Sequence, residues 1–175
     1  MIIREATLAD VDALGNLALH FLAGTQYGRT LQTADSEHLA ALITVLIAGI
    51  DPTTDDRQGV ICVADLQFTS YVGDGMLSRE LPHTSKLVGF LAISNALDVF
   101  TGQRYGDEVA WWVEPEHRET GAGRKLLGVG EDWARRNGLS VLKMVAPAGS
   151  QLGTLYERLG FTEVETAYSK RLIVE

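Results

Sequence analysis

The first fifty residues combine a short apolar run with two stretches in which apolar residues recur every three or four positions. Residues 2–6 have the pattern of a strand, and Thr7 followed by Asp10 has the spacing of a helix-capping box. Helical periodicity then extends over residues 8–21 and again over residues 35–49. The pattern predicts a strand followed by two helices.

Apolar runs and helical patterns alternate through the rest of the chain. Strands are expected at residues 60–64, 87–93, 108–113, 141–145 and 164–174, and helices at residues 122–137 and 151–159. Residues 67–86 contain Gly73, Gly75 and Pro82 and are interpreted as a long connection. We therefore expect one domain over residues 1–175, with an α/β (α+β layered) fold whose mixed, partly parallel central sheet is flanked by helices.

Composition narrows the class of protein. The chain has 175 residues, a formal net charge of −8 and no basic run, so nucleic acid is not expected as a partner. The single cysteine, Cys62, excludes an internal disulfide and is expected in the core. No segment has the apolar length of a membrane span, and residues 1–6 do not resemble a signal peptide. We predict a cytoplasmic protein that does not bind membranes.

The segment from Val113 to Leu127 predicts an anion-binding loop between a strand and a helix. Gly121 and Gly123 remove side chains where the helix begins, and this exposes backbone N–H groups at the positive end of the helix dipole. Arg118 and Arg124 would add charge-assisted hydrogen bonds to a phosphate. The alternative is that the glycines serve only a tight turn and close helix packing.

Two motifs in this part of the chain resemble those of the Gcn5-related N-acetyltransferase (GNAT) superfamily. The first is Arg118-x-x-Gly121-x-Gly123 after a strand, and the second is Tyr156-Glu-Arg-Leu-Gly160-Phe161. The resemblance extends from about Leu87 to the C-terminus. It implies the GNAT fold, acetyl-CoA as cosubstrate and direct transfer of acetyl to an amine in a ternary complex. A narrower similarity to members carried by phages and prophages rests on residues 107–115 with Tyr168 and Lys170.

The resemblance also implies which residues bind acetyl-CoA. The pyrophosphate would be held by the backbone N–H groups of Arg118, Glu119, Thr120, Gly121, Ala122, Gly123 and Arg124. The backbone of Val113 would pair with the pantetheine arm, and Ser150 would donate to it. Two positions depart from the family pattern, because Glu119 stands where a glycine often follows the arginine, and Gly149-Ser150 replace a common asparagine.

Tyr156 is the side chain expected to act in the transfer chemistry. A phenol hydrogen-bonded to the sulfur can protonate the thiolate as it leaves, and by resemblance this residue is the family tyrosine. The alternative is a tyrosine that packs between Leu155 and Leu159 with its hydroxyl at the surface.

A base is needed if the acceptor amine arrives protonated, and Asp107 and Glu108 are the candidates. Strand alternation places these neighbours on opposite faces, and Asp107 lies an even number of residues before Val113. A β-bulge, common in the family, would reverse that parity, so Glu108 is slightly favoured. Charged residues that only decorate the end of a hairpin remain the alternative.

The tryptophans and the histidines give two further expectations. Trp111 and Trp112 must point to opposite faces of their strand, and the four histidines have no spacing typical of a metal site, so no metal is expected. The acceptor is not specified by the sequence, and the family resemblance allows a homodimer. The competing function is a non-catalytic acyl-CoA-binding or interaction module that has kept the GNAT fold.

Overall fold

The computed structural model describes residues 1–25, 28, 35–48, 59–68, 71–72, 79–80 and 84–170. Its strands are β1 (Ile2–Glu5), β2 (Gly59–Phe68), β3 (Tyr71–Val72), β4 (Arg79–Glu80), β5 (Thr84–Leu97), β6 (Arg104–Val113) and β7 (Leu142–Lys143). Its α-helices are α1 (Val11–Gly24), α2 (Ser36–Ala48), α3 (Ala122–Arg136) and α4 (Leu152–Arg158), and 3-10 helices span Leu8–Asp10 and Pro115–Thr120. In these described parts, no helix has the length and apolar content needed to cross a bilayer.

The central sheet is mixed, with strand order β1-β2-β5-β6-β7. The first four strands pair antiparallel to their neighbours, and β7 pairs parallel to β6. The ladder between β6 and β7 is short, joining Gly106 to Leu142 and Asp107 to Lys143. Since β6 continues to Val113, the two strands separate after this ladder, and the predicted mixed, partly parallel sheet is confirmed.

Each face of the sheet is covered by its own helices and carries its own core. One core contains Leu14 and Leu17 of α1, Ile43 and Leu46 of α2, and inward residues of β2, β5 and β6 that include Trp112. The other contains Leu126 and Trp133 of α3 with Cys62, Leu91 and Ile93, and Trp111 packs against it. The expectation that the two adjacent tryptophans face opposite ways is confirmed. Cys62 is fully buried as expected, and burial raises the pKa of its thiol to about 12.

Helix α3 lies very close to β5 because Gly130 has no side chain. A Cβ atom at this position would lie 2.7 Å from Cδ1 of Ile93 and 2.9 Å from Cδ2 of Leu91. Real Cβ atoms do not approach other carbons this closely, so a larger residue would push the helix away from the sheet. Gly130 therefore sets the distance between α3 and the sheet.

An ion-pair cluster ties β1 to β2 and to the start of α1. The Arg4 guanidinium donates two 2.8 Å hydrogen bonds to Asp10 and two 3.1 Å hydrogen bonds to Asp65. Asp10 also accepts the Thr7 N–H at 2.7 Å, which is one of the bonds of the predicted capping box. Hydrogen bonding from Arg4 is the main reason that the pKa of Asp10 is lowered to about 2.

The structure corrects the predicted C-terminal strand at residues 164–174. Within the described residues, positions 161–170 form no regular structure, and Val164 and Tyr168 are 76% and 94% exposed. No layer of the protein packs over these side chains. Without a buried face, the alternation of apolar and polar residues does not stabilise a strand. Positions 171–174 of the same prediction lie outside the described residues.

The predicted connection at residues 67–86 is also partly wrong. Its ends extend strands β2 and β5, and between them β3 and β4 pair as a two-stranded sheet. The strand predicted at residues 141–145 corresponds to β7 and is shorter in the structure, because only Leu142 and Lys143 pair with β6. The other predicted elements agree with the structure to within a few residues where it describes them.

Candidate functional site

The predicted anion-binding loop forms a sharp turn between β6 and α3. Residues Pro115–Thr120 make a 3-10 helix, and Gly121 at φ 77° starts α3 in a conformation that favours glycine. A Cβ atom at Gly121 would contact nothing within 4 Å, so the loop is open at this point. The glycine therefore serves the turn and leaves space in front of the helix.

The N-terminus of α3 has the properties of an anion site. No side chain caps it, its first turn contains no acidic residue, and that turn carries Arg124 and Lys125. Basic residues are unfavourable at the positive end of a helix dipole unless an anion offsets them. The first helical bond runs from Lys125 N–H to Gly121 C=O, so the N–H groups of residues 122–124 have no helical partner, whereas those predicted at Arg118, Glu119 and Thr120 lie within the 3-10 helix.

Arg118 is positioned differently from the prediction. Its Nε donates to the Val113 carbonyl oxygen at 3.0 Å, and its guanidinium carbon lies 4.8 Å from the centre of the Trp112 ring. The side chain thus folds back onto β6 and occupies the carbonyl that was expected to pair with the pantetheine arm. Its terminal nitrogens are oriented by these two contacts, and Glu119 and Thr120 are exposed beside it.

A β-bulge in β6 decides which acidic residue faces the tyrosine. The register with β5 passes from Ala110 opposite Ala92 to Glu108 opposite Ile93, so Val109 is the extra residue. Ile93 belongs to the core on the α3 side, and Glu108 shares that face with it. Asp107 pairs with Ser94 on the opposite face. The bulge anticipated from the sequence is present, and it reverses the parity as expected.

Glu108 and Tyr156 both bind the backbone of Val145, just beyond β7. The Val145 N–H donates to Glu108 Oε2 at 2.9 Å, and the Tyr156 hydroxyl donates to the Val145 carbonyl at 3.2 Å. Burial raises the pKa of Glu108 to about 7. Burial also raises the pKa of Tyr156, with a further contribution from the Glu108 charge, so the phenol keeps its proton at neutral pH.

Sequence reasoning missed the position of Trp111 beside this pair. Its ring stacks on Tyr156 with centroids 6.0 Å apart and an interplanar angle of 25°, and its Nε1 is buried without a hydrogen-bond partner. A Cβ at Gly123 would lie 3.1 Å from Cζ2 of this ring. Gly123 is therefore a close-packing glycine, and the only signal for this contact was a glycine in the first turn of α3.

Asp107 and Ser150 lie apart from the Glu108 and Tyr156 pair. Asp107 is half-buried near Lys143, and desolvation by burial raises the pKa of its carboxyl. Ser150 is exposed, its N–H donates to the Pro147 carbonyl at 3.0 Å, and its hydroxyl accepts the Leu152 N–H at 3.4 Å. Ser150 thus stabilises the start of α4 in this structure.

No group of three or more residues of metal-binding type is assembled among the described residues. The Glu108 carboxylate has Tyr156 and Val145 as its neighbours, and both are hydrogen-bonding groups typical of acid–base chemistry. The site thus contains a half-buried carboxyl and a buried phenol beside the α3 N-terminus.

A mixed sheet opens between β6 and β7, beside the uncapped N-terminus of α3 and the buried Tyr156, which is an arrangement compatible with an acyltransferase. The chain matches the Acetyltransferase (GNAT) family over residues 52–161, which is more than half of its length. It belongs to this GNAT acetyltransferase family.

Solved structures share the fold along nearly the whole chain. A ribosomal-protein-alanine N-acetyltransferase from Brucella melitensis biovar Abortus 2308 has 23% identity and a TM-score of 0.62, with 98% of each chain covered. An aminoglycoside antibiotic 6'-N-acetyltransferase from Acinetobacter haemolyticus has 17% identity and a TM-score of 0.61, with 100% of each chain covered. A Trypanosoma brucei acetyltransferase has 19% identity and a TM-score of 0.62, over 98% of this chain and 99% of the other. No curated protein matches the sequence significantly.

Proposed function

We propose that the protein transfers acetyl from acetyl-CoA to an amine by direct attack within a ternary complex. The observation that carries this proposal is that Glu108 and Tyr156 both bind the backbone of Val145, where β6 and β7 begin to separate. One group can accept a proton and the other can donate one, and they lie on the sheet face that also carries α3. Membership of the GNAT family supports the same reaction class.

The cosubstrate fits the features of the α3 N-terminus. Its pyrophosphate would accept hydrogen bonds from the backbone N–H groups of residues 122–124, with Arg124 adding charge. The empty space in front of Gly121 and the missing cap are what a bulky anion requires. The pantetheine arm would then follow β6 past Val113 towards Tyr156.

Acetyl-CoA supplies the acyl carbon and a thiol leaving group. Glu108 removes a proton from the attacking nitrogen while the N–C bond forms, and Tyr156 gives its phenolic proton to the sulfur as the C–S bond breaks. Because Glu108 and Tyr156 interact electrostatically and both contact Val145, the carboxyl can return its proton to the phenolate and restore both groups.

The acceptor would approach from the α1 and α2 face of the opening. Asp107 lies on that face, and the net charge of −8 favours association with a cationic amine. A small-molecule amine and a protein amine both satisfy this chemistry.

A thermal-shift experiment tests cosubstrate binding. Acetyl-CoA at millimolar concentration should raise the melting temperature of the native protein, and Gly121→Glu should abolish the shift by filling the loop with a repelling charge. Gly138→Glu is the matched control, because Gly138 has φ 71° and open space at the other end of α3. An equal shift in both variants would contradict the proposed binding site.

Release of free thiol with a panel of amines tests the transfer step. Turnover of any amine, followed by mass spectrometry of the product, identifies the acceptor class. Binding of acetyl-CoA without thiol release from any amine would instead support the non-catalytic acyl-CoA-binding module.

A further inference from the structure

Asp107 carries a carboxylate that the proposed transfer chemistry does not use. The side chain is half-buried, and desolvation by burial raises the pKa of its carboxyl. Among the residues that the structure describes, none donates a hydrogen bond to this carboxylate, and the charges that act on it are those of Lys143 and Glu165. A partly desolvated carboxylate without a donor has lost hydration that a cationic ligand would replace.

Asp107 lies at the edge of the opening between β6 and β7. The ladder that joins these strands ends at the pair formed by Asp107 and Lys143, and the strands separate beyond it. Tyr105 lies two residues before Asp107 in β6, so strand alternation places both side chains on the same face. Glu108 faces the other side of the sheet. The unused carboxylate therefore lies on the face from which the acceptor would approach.

The Lys143 ammonium shows which kind of group this surface accommodates. Its Nζ lies 5.3 Å from the centre of the Tyr105 ring and 3.4 Å from a carboxylate oxygen of Glu165. Aromatic faces and carboxylates both attract cations. Glu165 is 72% exposed, so its pair with Lys143 is weak. Within the described residues Lys143 forms no ion pair with Asp107, which leaves that carboxylate for a second cation.

We propose that Asp107 and Tyr105 bind a second cationic group of the acceptor, so that the preferred acceptor is a diamine. This inference rests on the proposed function, because it assumes that the reacting nitrogen lies at Glu108. The side chains of Asp107 and Glu108 point to opposite faces of β6, so the two carboxylates cannot hold the same nitrogen. An acceptor that enters through the opening and reaches Glu108 with one nitrogen places its second ammonium group beside Asp107.

Calorimetric titration with two amines tests the inference. Putrescine carries an ammonium group at each end of its carbon chain, and n-butylamine has the same chain with a single ammonium group. In millimolar CoA, wild-type protein should bind putrescine roughly tenfold more tightly than n-butylamine, because the second ammonium adds a charge-assisted contact.

Variants of the cation site locate the source of this preference. Asp107→Asn removes the charge and should reduce the preference for putrescine to less than about twofold. Asp132→Asn is the matched control and should keep the preference, because it removes the same charge from an exposed position of α3. Lys143→Met removes a competing cation and should tighten putrescine binding about threefold. If Asp107→Asn does not fold, Tyr105→Leu replaces it and should weaken putrescine binding about threefold.

The outcomes separate the two proposals. Equal affinities for the two amines in wild-type protein overturn the inference, and so does a preference that persists in Asp107→Asn. The proposed function still stands in either case if an amine of the panel releases thiol. Absence of thiol release from every amine refutes the proposed function, whereas a putrescine preference that is lost in Asp107→Asn would still establish the cation site.

Discussion

The half-buried Glu108 and the buried Tyr156 share one backbone residue, Val145, and this arrangement shapes their chemistry. Val145 donates to Glu108 and accepts from Tyr156, so the separation of carboxyl and phenol is set by the main chain. Their environment keeps the phenol protonated while bringing the carboxyl pKa near neutrality. These protonation states match a proton donor and a proton acceptor that act in the same reaction.

Tyr156→Phe should lower turnover by about 100-fold or more, because it removes the proton donor of the leaving thiolate. Acetyl-CoA affinity should change little, since the ring and its packing remain. Steady-state kinetics and calorimetric titration measure the two effects. Tyr168→Phe is the control, because Tyr168 is 94% exposed. Turnover equal to that of the control would remove Tyr156 from the mechanism.

The raised pKa of Glu108 predicts opposite effects of pH on activity and stability. Its carboxylate forms above about pH 7, so kcat/KM should rise through that value. The unfolded carboxyl ionises near 4.5, so the folded state binds more protons between 4.5 and 7 and loses stability as pH rises through this window. A shift from 4.5 to about 7 corresponds to roughly 3 kcal/mol.

Glu108→Gln should therefore raise the free energy of unfolding at pH 8 while lowering turnover. The gain should be about 1–3 kcal/mol at pH 8 and should vanish near pH 4.5. Denaturant titrations at the two pH values measure it, with exposed Glu157→Gln as control. A loss of stability at pH 8 would show that the Val145 hydrogen bond outweighs the cost of the buried charge.

At the scale of elements, the Arg4 cluster holds β1, β2 and the start of α1 together. Its partners Asp10 and Asp65 are 8% and 2% exposed, whereas the Arg136 to Glu5 pair lies at the surface. Removing one member of a buried ion pair leaves an uncompensated charge, which is more costly than losing an exposed pair.

Arg4→Met should destabilise the protein by about 3 kcal/mol at pH 7, and Arg136→Met by less than about 1 kcal/mol. The pKa of Asp10 is lowered to about 2, so its contribution is present above pH 3.8 and is lost as pH falls towards 2. The difference between wild type and Arg4→Met should shrink over that window in urea titrations. A difference independent of pH would argue against the role of Asp10.

Secondary-structure elements with a buried face could be predicted from the sequence, and elements without one could not. The strand and helix order was predicted because apolar spacing reports burial directly, the opposite faces of the two tryptophans followed from strand alternation, and the bulge was suggested by the family resemblance. The C-terminal strand was not, because residues 164–170 alternate in character without a layer to cover them. The Val145 hydrogen bonds and the Trp111 stack depend on chain segments far apart in sequence, which local spacing does not encode.

At the scale of the whole molecule, the sheet separates two sets of polar side chains. One face carries α3, Tyr156 and Glu108, and the other carries α1, α2 and Asp107. The opening between β6 and β7 joins the two faces. The proposed binding of an anionic cosubstrate is compatible with the net charge of −8, since backbone dipoles and Arg124 determine the field at α3.

Hydrogen exchange should reproduce this division. Saturating acetyl-CoA should protect amides in residues 113–125 and near Val145, while α2 should exchange at an unchanged rate. Mass spectrometry of peptides from the exchanged protein measures both regions in one sample. Protection confined to α2 would place the cosubstrate on the wrong face and contradict the proposed site.

The close approach of α3 to β5 makes Gly130 a pivot for the binding end of that helix. Gly130 lies eight residues from Ala122, so a rise of 1.5 Å per residue separates the pivot from the first turn by about 12 Å. A larger residue at position 130 would displace α3 from the sheet and tilt it, which would move its exposed N–H groups relative to Tyr156. Tyr156 would not move with the helix, because it is hydrogen-bonded to Val145. In the proposed complex, the packing of Gly130 against Ile93 and Leu91 would therefore affect how the cosubstrate is aligned with the phenol.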